Sequence, residues 1–212
     1  KNKFDQLPSE YSHLYLAIEN ELAAVICIED PVREEAKDVI QQLKHEGIHK
    51  VVMMTGDSDR TAAVIAKQVG VDEYHSEVLP EDKANYILKE KENGNIVVMV
   101  GDGINDSPAL SAADVGIAIS DGAEIAREIA DITVAAEDLQ ELLTLRRLSK
   151  AMMKRIHTNY RTILGVNGGL ILLGAGGIIQ PTVSAFLHNA STLGISLRSM
   201  ENLLSEGNKS AH

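Results

Sequence analysis

The chain has 212 residues, of which 44% are hydrophobic and 24% are charged, so it is long enough to bury one core of ordinary size. A single cysteine excludes a disulfide framework and a cysteine-based metal cluster, and it fits a reducing compartment. The net charge of −11 is uneven, because residues 1–145 hold 12 basic and 29 acidic side chains whereas residues 146–212 hold 8 and 2. The acidic first part excludes nucleic acid as an expected partner. Because the sequence starts at Lys1 and has no signal-like stretch, we expect the chain to begin inside a longer gene product.

Up to about residue 138, short apolar runs alternate with helical patterns, an order typical of a parallel α/β sheet. The predicted strands are Leu22–Ile28, Lys50–Thr55, Ile96–Val100, Val115–Ile119 and Ile132–Val134. The predicted helices are Glu34–Glu46, Asp59–Val69, Glu81–Glu92, Pro108–Ala113 and Gly122–Ala130. We expect Asp57 or Ser58 to cap the second helix and Gly47 to end the first.

Beyond residue 138 the pattern changes to long helices. A basic helix is predicted from Glu137 to Tyr160, and the uncharged runs Thr162–Ile179 and Pro181–Leu197 follow it. A membrane-spanning helix needs ~20 mostly apolar residues, so the two runs are predicted to be transmembrane helices. The basic cluster before them predicts a cytoplasmic α/β part by the positive-inside rule. A glycine-rich hairpin buried in a soluble protein is the alternative.

The most informative motif is the run from Val100 to Leu110, which reads VGDGINDSPAL. It follows an apolar strand, and its tight turn predicts that Asp102 and Asp106 lie close together with Asn105 between them. Paired carboxylates at the C-terminal edge of a strand suit Mg2+, and a neighbouring amide can hold a phosphate oxygen. The run therefore indicates phosphoryl-transfer chemistry.

Two further segments could belong to the same site. In VVMMTGD a strand runs into Thr55, Gly56 and Asp57, where a hydroxyl and a backbone N–H next to a helix start can hold phosphate oxygens. In LPEDK, Lys83 lies in the first turns of a helix, and its ammonium group can neutralise a phosphoryl group. Each segment alone also has a plain structural interpretation, a capped turn for the first and a solvated charge for the second.

In their order along the chain, TGD, PEDK and GDGINDSPAL resemble the phosphorylation domain of P-type ATPases, the ion pumps built on a haloacid-dehalogenase-like phosphoryl-transfer domain. The resemblance implies a set of catalytic residues: Thr55, Gly56, Asp57, Lys83, Asn105 and Asp106. It assigns Mg2+ to Asp102 and Asp106. ATP would bind a nucleotide domain that this chain does not contain.

By the same resemblance, the expected fold is α/β, a partial haloacid-dehalogenase-like Rossmannoid parallel sheet with flanking helices, followed by a basic helix and two transmembrane helices. Residues 1–29 would hold the end of the connection from the nucleotide-binding domain and the first strand, and Asp30-Pro31 would form a hinge. The remaining expected parts are the C-terminal portion of the phosphorylation domain (30–138), the basic cytoplasmic helix (139–160), a transmembrane hairpin (161–204) and a polar tail (205–212).

Two hydrophobic segments after this domain resemble the heavy-metal branch of the family. Copper exporters carry a Tyr-Asn pair and Met-x-x-Ser-Ser at positions that match Val166-Asn167 and residues 188–192 here. Without the tyrosine and the soft thioether, Cu(I) is not expected, whereas imidazole suits divalent transition metals. The expected contacts of the transported ion are Asn167, His188, Ser191 and Thr192. For His188 the alternative is an interfacial histidine bonded to a neighbouring helix.

The family's phosphorylated aspartate lies in a DKTGT string, which does not occur in this sequence. We therefore expect the C-terminal piece of an ATP-driven exporter of a divalent transition metal, inactive alone. Its expected partners are membrane lipid and the missing N-terminal portion of the pump, in a bacterial cell membrane. Two alternatives are open. One is a soluble phosphatase of the haloacid dehalogenase type, although Asp5 lacks the DxD context that such an enzyme needs; the other is a non-catalytic, membrane-anchored remnant or regulator.

Overall fold

The computed structural model describes residues 11–28, 31–102, 105–119, 128–134 and 139–203. The chain divides into two compact units, Lys1–Leu143 and Thr144–His212. Some features predicted from the sequence lie outside the described residues: Asp5, Asp30, the tail 205–212 and most of the predicted helix Gly122–Ala130.

The first unit begins with an antiparallel hairpin of β1 (Ser12–Ile18) and β2 (Glu21–Ile28). Glu19 and Asn20 connect the strands, both with positive φ (46° and 68°), as a tight two-residue hairpin turn requires. Apolar side chains along both strands are about half exposed, including Leu16 and Ile26. A two-stranded hairpin is marginally stable by itself. The half-exposed apolar side chains of this hairpin are surface that further packing could bury.

Parallel strands and helices alternate through the rest of the first unit. The strands are β3 (Val52–Met54), β4 (Glu73–His75), β5 (Val98–Gly101), β6 (Val115–Ile119) and β7 (Ile132–Val134). The helices are α1 (Ala36–His45), α2 (Asp59–Val69), α3 (Pro80–Glu92) and α4 (Ser107–Ala112). The predicted strands and helices of this unit that the structure describes are confirmed to within two residues at each end, but β1 and β4 were not predicted. Ser58 rather than Asp57 caps α2, since its Oγ accepts from the Thr61 N–H at 3.4 Å.

The parallel strands form two separate sheets. β3 pairs with β4, and β6 lies between β5 and β7. Among the strands that the structure describes, neither β3 nor β5 has a partner along its second edge. Because the carboxyl ends of parallel strands share one edge of a sheet, the segments after β3 and β5 are where a ligand site is expected.

The core of this unit lies around α4 and β6. Leu110 and Ala118 are completely buried there, and Met99 and Ile129 pack against them. A Cβ on Gly116 would lie 2.7 Å from the carbonyl oxygen of Leu110. Glycine therefore allows α4 to approach β6 closely, which fixes where the loop before α4 is held.

An aspartate stands directly before each of β4, β6 and β7 and accepts a hydrogen bond from the backbone of the neighbouring strand. We call Asp72, Asp114 and Asp131 the N-edge aspartates. The backbone N–H groups that donate to them are those of Val51, Val97 and Gly116, respectively, each at 2.8 Å. These bonds tie adjacent strands together at the edge opposite the expected ligand site.

Lysine side chains from the helices bind two of these carboxylates. Lys44 lies 2.7 Å from Asp72, and Lys91 lies 3.2 Å from Asp114. The lysine bond, followed by the backbone bond, lowers the pKa of Asp72. The Val97 N–H, followed by Lys91, lowers the pKa of Asp114. Both carboxylates are therefore held in the charged form that their hydrogen bonds require.

The second unit contains most of α5 (Gln140–Ala175) and all of α6 (Pro181–Ser199). α5 has 36 residues and joins the predicted basic helix and the start of the first uncharged run without a break. Pro181 is the first residue of α6. Proline costs no hydrogen bond there, because an N–H at that position has no acceptor within the helix. Hydrogen bonds from Arg155 to Ser199 and between Asn167 and His188 show that the two helices run antiparallel.

Within the residues described, no helix is both long enough and apolar enough to span a membrane. The structure thus does not support the two predicted transmembrane helices. The physical reason in the first case is that the uncharged run from Thr162 extends past Ala175, where α5 ends. Its 14 helical residues would cover only ~21 Å, against the ~30 Å of a hydrocarbon core. In the second case, His188 and Asn189 interrupt the apolar sequence of α6.

Candidate active site

The turn after β3 is closed by its own side chains. The Thr55 hydroxyl donates to Asp57 Oδ2 at 2.6 Å, and the Asp57 N–H donates to Thr55 Oγ1 at 3.1 Å. The connection from β4 to α3 supports the turn, because Thr55 N–H donates to the His75 carbonyl and Val78 N–H donates to the Thr55 carbonyl, each at 3.0 Å. A Cβ on Gly56 would meet nothing within 4 Å, so its backbone faces open space. The turn thus presents an accessible backbone beside a rigid hydroxyl.

Lys83 and Asp106 meet at the other half of the predicted site. Lys83 Nζ lies 2.7 Å from Asp106 Oδ1, and their side chains are only 16% and 13% exposed. Lys83 comes from the first turn of α3, whereas Asp106 directly precedes α4. The two residues are 23 positions apart in the sequence, and this bond brings their side chains into contact. The bond brings together PEDK and GDGIND, whose proximity had only been expected from their order in the sequence.

Gly101 makes room for the Asp106 carboxylate. A Cβ at this position would lie 2.5 Å from Asp106 Oδ2 and 2.8 Å from Asp106 Cβ. The glycine at the end of β5 is therefore a steric requirement for the ion pair with Lys83. Every other residue would force the carboxylate to move.

Asp102 and Asn105 line the exposed side of the same loop. The Asn105 N–H donates to Asp102 Oδ1 at 3.4 Å, so the two residues contact each other through the backbone of one and the side chain of the other. Residues 103 and 104, between them, are outside the described part of the chain. Carboxylates from Asp102 and Asp106 fit the donor set of Mg2+, which is commonly bound by one or two carboxylates with the remaining positions taken by water and phosphate. No group of three or more metal-ligating side chains occurs among the described residues.

The residues predicted to contact a transported ion lie in the second unit. His188 Nδ1 is 2.9 Å from Asn167 Oδ1, so the structure brings these two together across α5 and α6. The hydroxyls of Ser191 and Thr192 donate to the backbone carbonyl of His188 at 2.8 and 3.0 Å. The interhelical bond of His188 is the contact that the alternative interpretation of this histidine required.

Comparison with known proteins decides the family. The haloacid dehalogenase-like hydrolase family matches residues 2–114, which is more than half of the chain. The chain belongs to this family. The match includes β1 to β5 and all of the candidate catalytic residues.

Curated relatives of this haloacid dehalogenase-like chain are heavy-metal P-type ATPases. It is 43% identical over 183 residues to the zinc-exporting P-type ATPase of Mycobacterium marinum, covering 86% of this chain and 25% of the relative. A manganese-exporting P-type ATPase of Mycobacterium bovis is also 43% identical, with 86% and 26% covered. The copper-exporting P-type ATPase of Staphylococcus epidermidis is 39% identical over 204 residues, with 94% and 26% covered. The chain therefore spans about a quarter of the length of these bacterial relatives.

A solved structure extends the likeness to both units. The crystal structure of a zinc-transporting PIB-type ATPase in the E2.Pi state matches 94% of this chain and 32% of its own, with a TM-score of 0.79 and 29% identity. The similarity thus includes the helices after the hydrolase domain. The resemblance drawn from TGD, PEDK and GDGINDSPAL is confirmed at the level of the family and its relatives.

One cluster in the hydrolase domain escaped the sequence analysis. Lys50 Nζ lies 2.5 Å from Glu73 Oε2 and 3.1 Å from the Tyr86 hydroxyl, and that hydroxyl donates to Glu73 Oε1 at 3.3 Å. Hydrogen bonds to Lys50 lower the pKa of Glu73, and those to Glu73 raise the pKa of Lys50, whereas burial raises the pKa of Tyr86. Tyr86 lies one helical turn beyond Lys83, so the cluster fixes α3 against β4 next to the candidate catalytic lysine. The sequence signal that could have indicated this cluster is the spacing of three residues between Lys83 and Tyr86, which places both on one face of α3.

Proposed function

We propose that this chain supplies the Mg2+- and phosphate-contacting part of the phosphorylation domain of an ATP-driven pump for transition-metal ions. The Lys83–Asp106 ion pair carries this proposal, because it places a cation next to the loop that bears both candidate Mg2+ ligands. The pair is mostly shielded from water, and charge interactions are stronger in such a place than at an exposed surface. Homology to P-type ATPases over most of the chain supports the same function.

Each catalytic residue has a distinct task in this proposal. The Gly56 N–H holds an oxygen of the phosphoryl group, and Lys83 neutralises part of its charge. The Thr55 hydroxyl, which donates to Asp57 in this structure, turns to donate to a second oxygen of the group. Asp102 and Asp106 would hold Mg2+, and the bound ion would offset the negative charge that develops during phosphoryl transfer. Asn105 contacts a phosphoryl oxygen through its side-chain amide, and Asp57 accepts the Thr55 hydroxyl hydrogen until the phosphoryl group binds.

The nucleophile comes from outside this chain. In the proposed reaction, an aspartate carboxylate of the upstream portion attacks the γ-phosphorus of ATP, an acyl phosphate forms and ADP leaves. Among the described strands, β3 and β5 each have one edge without a partner, which supports this idea, because a parallel strand inserted there would end beside Thr55 and Asp102. Without that strand the chain would bind ligands weakly and transfer no phosphoryl group.

The transported ion is proposed to be divalent. The named relatives export zinc, manganese and copper, so the choice among these metals rests on residues of this chain. Imidazole from His188 and oxygen donors from Ser191 and Thr192 are borderline-to-hard ligands that favour zinc or manganese over Cu(I).

The second unit is proposed to pack with other helices of the complete pump and with membrane lipid. Large apolar side chains on its surface support such packing: Ile171, Leu172, Phe186 and Leu193 are each more than 60% exposed. This number of exposed apolar residues is unusual for a surface in contact with water. This packing would be tested by measuring whether the isolated chain needs detergent to stay in solution.

The decisive experiment measures acyl-phosphate formation from labelled ATP and Mg2+ by the longer gene product in membranes, with Zn2+, Mn2+, Co2+, Cd2+ and Cu(I) tested in turn. We expect metal-stimulated, hydroxylamine-sensitive label that Lys83→Met lowers by about 100-fold, a typical cost of removing one charge-stabilising group. Lys89→Met, on the last turn of the same helix, is the matched control. Metal-independent label, or label on the 212-residue chain alone, would contradict the proposal.

A further inference from the structure

A polar pair, Asn167 and His188, joins the uncharged parts of α5 and α6. Asn167 lies in the run from Thr162 to Ala175, where α5 has no charged side chain, and His188 lies near the middle of α6. Their 2.9 Å contact connects Nδ1 of the imidazole with Oδ1 of the amide. An inference about this pair rests on the proposed function, in which α5 and α6 contact the transported ion.

The contact determines which ring nitrogen carries the proton. An amide oxygen has no hydrogen and can only accept, so the Nδ1 atom of His188 must be the donor. A neutral imidazole has one N–H, and Nε2 therefore carries a lone pair. This is the nitrogen that a metal ion can bind.

Two hydroxyls share the helix face of His188. Ser191 and Thr192 lie three and four residues further along α6, which places them on the same side as the imidazole. Both hydroxyl hydrogens are used in bonds to the His188 carbonyl. Their oxygen lone pairs are consequently directed away from that carbonyl and are left to accept or to bind a metal ion on the same helix face as His188.

The end of the helix pair fixes the register of this contact. The Arg155 guanidinium donates to the carbonyl oxygens of Ser199 at 3.0 Å and Asn202 at 3.2 Å, and the Asn159 amide donates to Ser199 Oγ at 2.7 Å. Asn167 follows Asn159 by eight residues, or ~12 Å along the helix, and His188 precedes Ser199 by 11 residues, or ~16 Å. Two separated contact points thus prevent α6 from sliding along α5.

We propose that Asn167 is a positioning residue that holds His188 in the Nδ1–H tautomer, so that Nε2 is presented to a divalent transition-metal ion. Asn167 then does not ligate the ion, although the sequence analysis predicted it as a contact. A metal-binding histidine usually donates its second ring N–H to an oxygen, and that bond sets both the ring orientation and the tautomer. Asn167 supplies this oxygen from the opposite helix.

The first test is 15N NMR of the histidine side chains in the 212-residue chain, kept in detergent micelles. We expect His188 to show a protonated Nδ1 and an unprotonated Nε2, and Asn167→Ala to move the proton to Nε2 in a fraction of molecules. Asn167→Asp offers an acceptor at the same place and should preserve the Nδ1–H form. Asn189→Ala, adjacent to His188 on α6, is the matched control and should change nothing.

The second test adds Zn2+ to the same samples. Zn2+ should shift the Nε2 resonance of His188, and Asn167→Ala should weaken its affinity by about 10-fold, the lower end of the usual effect of such an orienting residue. Asn167→Asp should restore the binding.

Three results would overturn the inference: an Nε2–H tautomer in the unmodified chain, a His188 signal that Zn2+ does not move, or equal Zn2+ affinity after the tautomer has changed. Acyl-phosphate formation by the longer gene product separates this inference from the proposed function. Metal-stimulated label together with an Nε2–H tautomer would refute the role of Asn167 alone. A Zn2+-responsive Nδ1–H tautomer without metal-stimulated label would support that role and refute the pump.

Discussion

The two edges of the parallel sheets in the first unit use the same pair of residue types for different purposes. At the N-terminal edge, Asp72 and Asp114 bind a lysine and also accept a backbone N–H from the next strand. At the C-terminal edge, Asp106 binds Lys83 at the same 2.7 Å that separates Lys44 from Asp72. A lysine–aspartate distance therefore does not distinguish structure from function.

The position of the carboxylate relative to its strand does make that distinction. The N-edge aspartates directly precede a strand, where they tie two backbones together, whereas Asp102 and Asp106 follow β5. The Lys83–Asp106 pair is also more buried than the Lys91–Asp114 pair, which is about one-third exposed. Shielding strengthens the field of a lysine, as the proposed action of Lys83 on a phosphoryl group would require.

The largest expected effect comes from neutralising one aspartate at each edge. Asp106→Asn should lower acyl-phosphate formation by the longer gene product by about 100-fold or more, because Lys83 loses its partner and Mg2+ loses a ligand. Asp114→Asn should leave the activity of the folded protein within about threefold of the unmodified value. Both effects are measured as the amount of acyl phosphate formed from labelled ATP, compared at equal amounts of folded protein. Similar losses in the two variants would remove the functional difference between the edges.

A pair of glycine substitutions gives the next effect in size. Gly116→Ala places a Cβ 2.7 Å from the Leu110 carbonyl oxygen, deep in the core, and should destabilise the chain by about 1–3 kcal/mol. Gly101→Ala presses on the side chain of Asp106, including its Cβ, in the loop before α4 and not on backbone in the core, so it should cost less stability but reduce labelling about tenfold. Urea denaturation of both variants, compared with their labelling, checks the prediction. It would be wrong if Gly101→Ala unfolded the chain as much as Gly116→Ala.

The smallest effect is a dependence of stability on pH at the N-terminal edge. The pKa values of Asp72 and Asp114 are lowered in the folded chain, so each carboxylate stabilises the fold at pH values above its unfolded pKa of about 4. This contribution should disappear as the pH falls from about 4 towards the lowered folded values. Urea midpoints at pH 6, 4 and 3 should therefore converge for the unmodified chain and for Asp114→Asn. Glu92→Gln, which replaces an exposed carboxylate on α3, serves as the control. Its urea midpoint should differ little from that of the unmodified chain at each of the three pH values.

The sequence predicted most elements because their ends carry local signals. α2 was predicted with both of its ends, since Ser58 caps it and Gly70, with φ of +79°, terminates it. β4 has only three residues, of which Glu73 and His75 are polar, so no alternation was visible. β1 was missed for a different reason: its apolar residues lie on both faces of the hairpin, where they are about half exposed, so they show no alternation of apolar and polar positions.

The candidate site was predictable to the extent that its residues lie in short motifs. TGD, PEDK and GDGIND each identify residues that the fold places at strand or helix ends, and Lys83 and Asp106 do meet. The cluster of Lys50, Glu73 and Tyr86 was not predictable, because its partners are far apart in sequence and of types that are ordinarily solvated. The interhelical bond of His188 likewise depends on the register of α5 and α6, which no local signal determines.

The edges of β3 and β5 that have no partner among the described strands have a kinetic consequence for the proposed function. If a strand from the upstream portion of the proposed pump fills them, that strand is tethered to this chain and pairs with it at an effective concentration in the millimolar range. Supplied as a separate polypeptide, the same strand would have to find the 212-residue chain by diffusion, and assembly would become second order. Mixing the two pieces would thus convert one folding reaction into a bimolecular association whose half-time shortens as the concentration of the pieces rises.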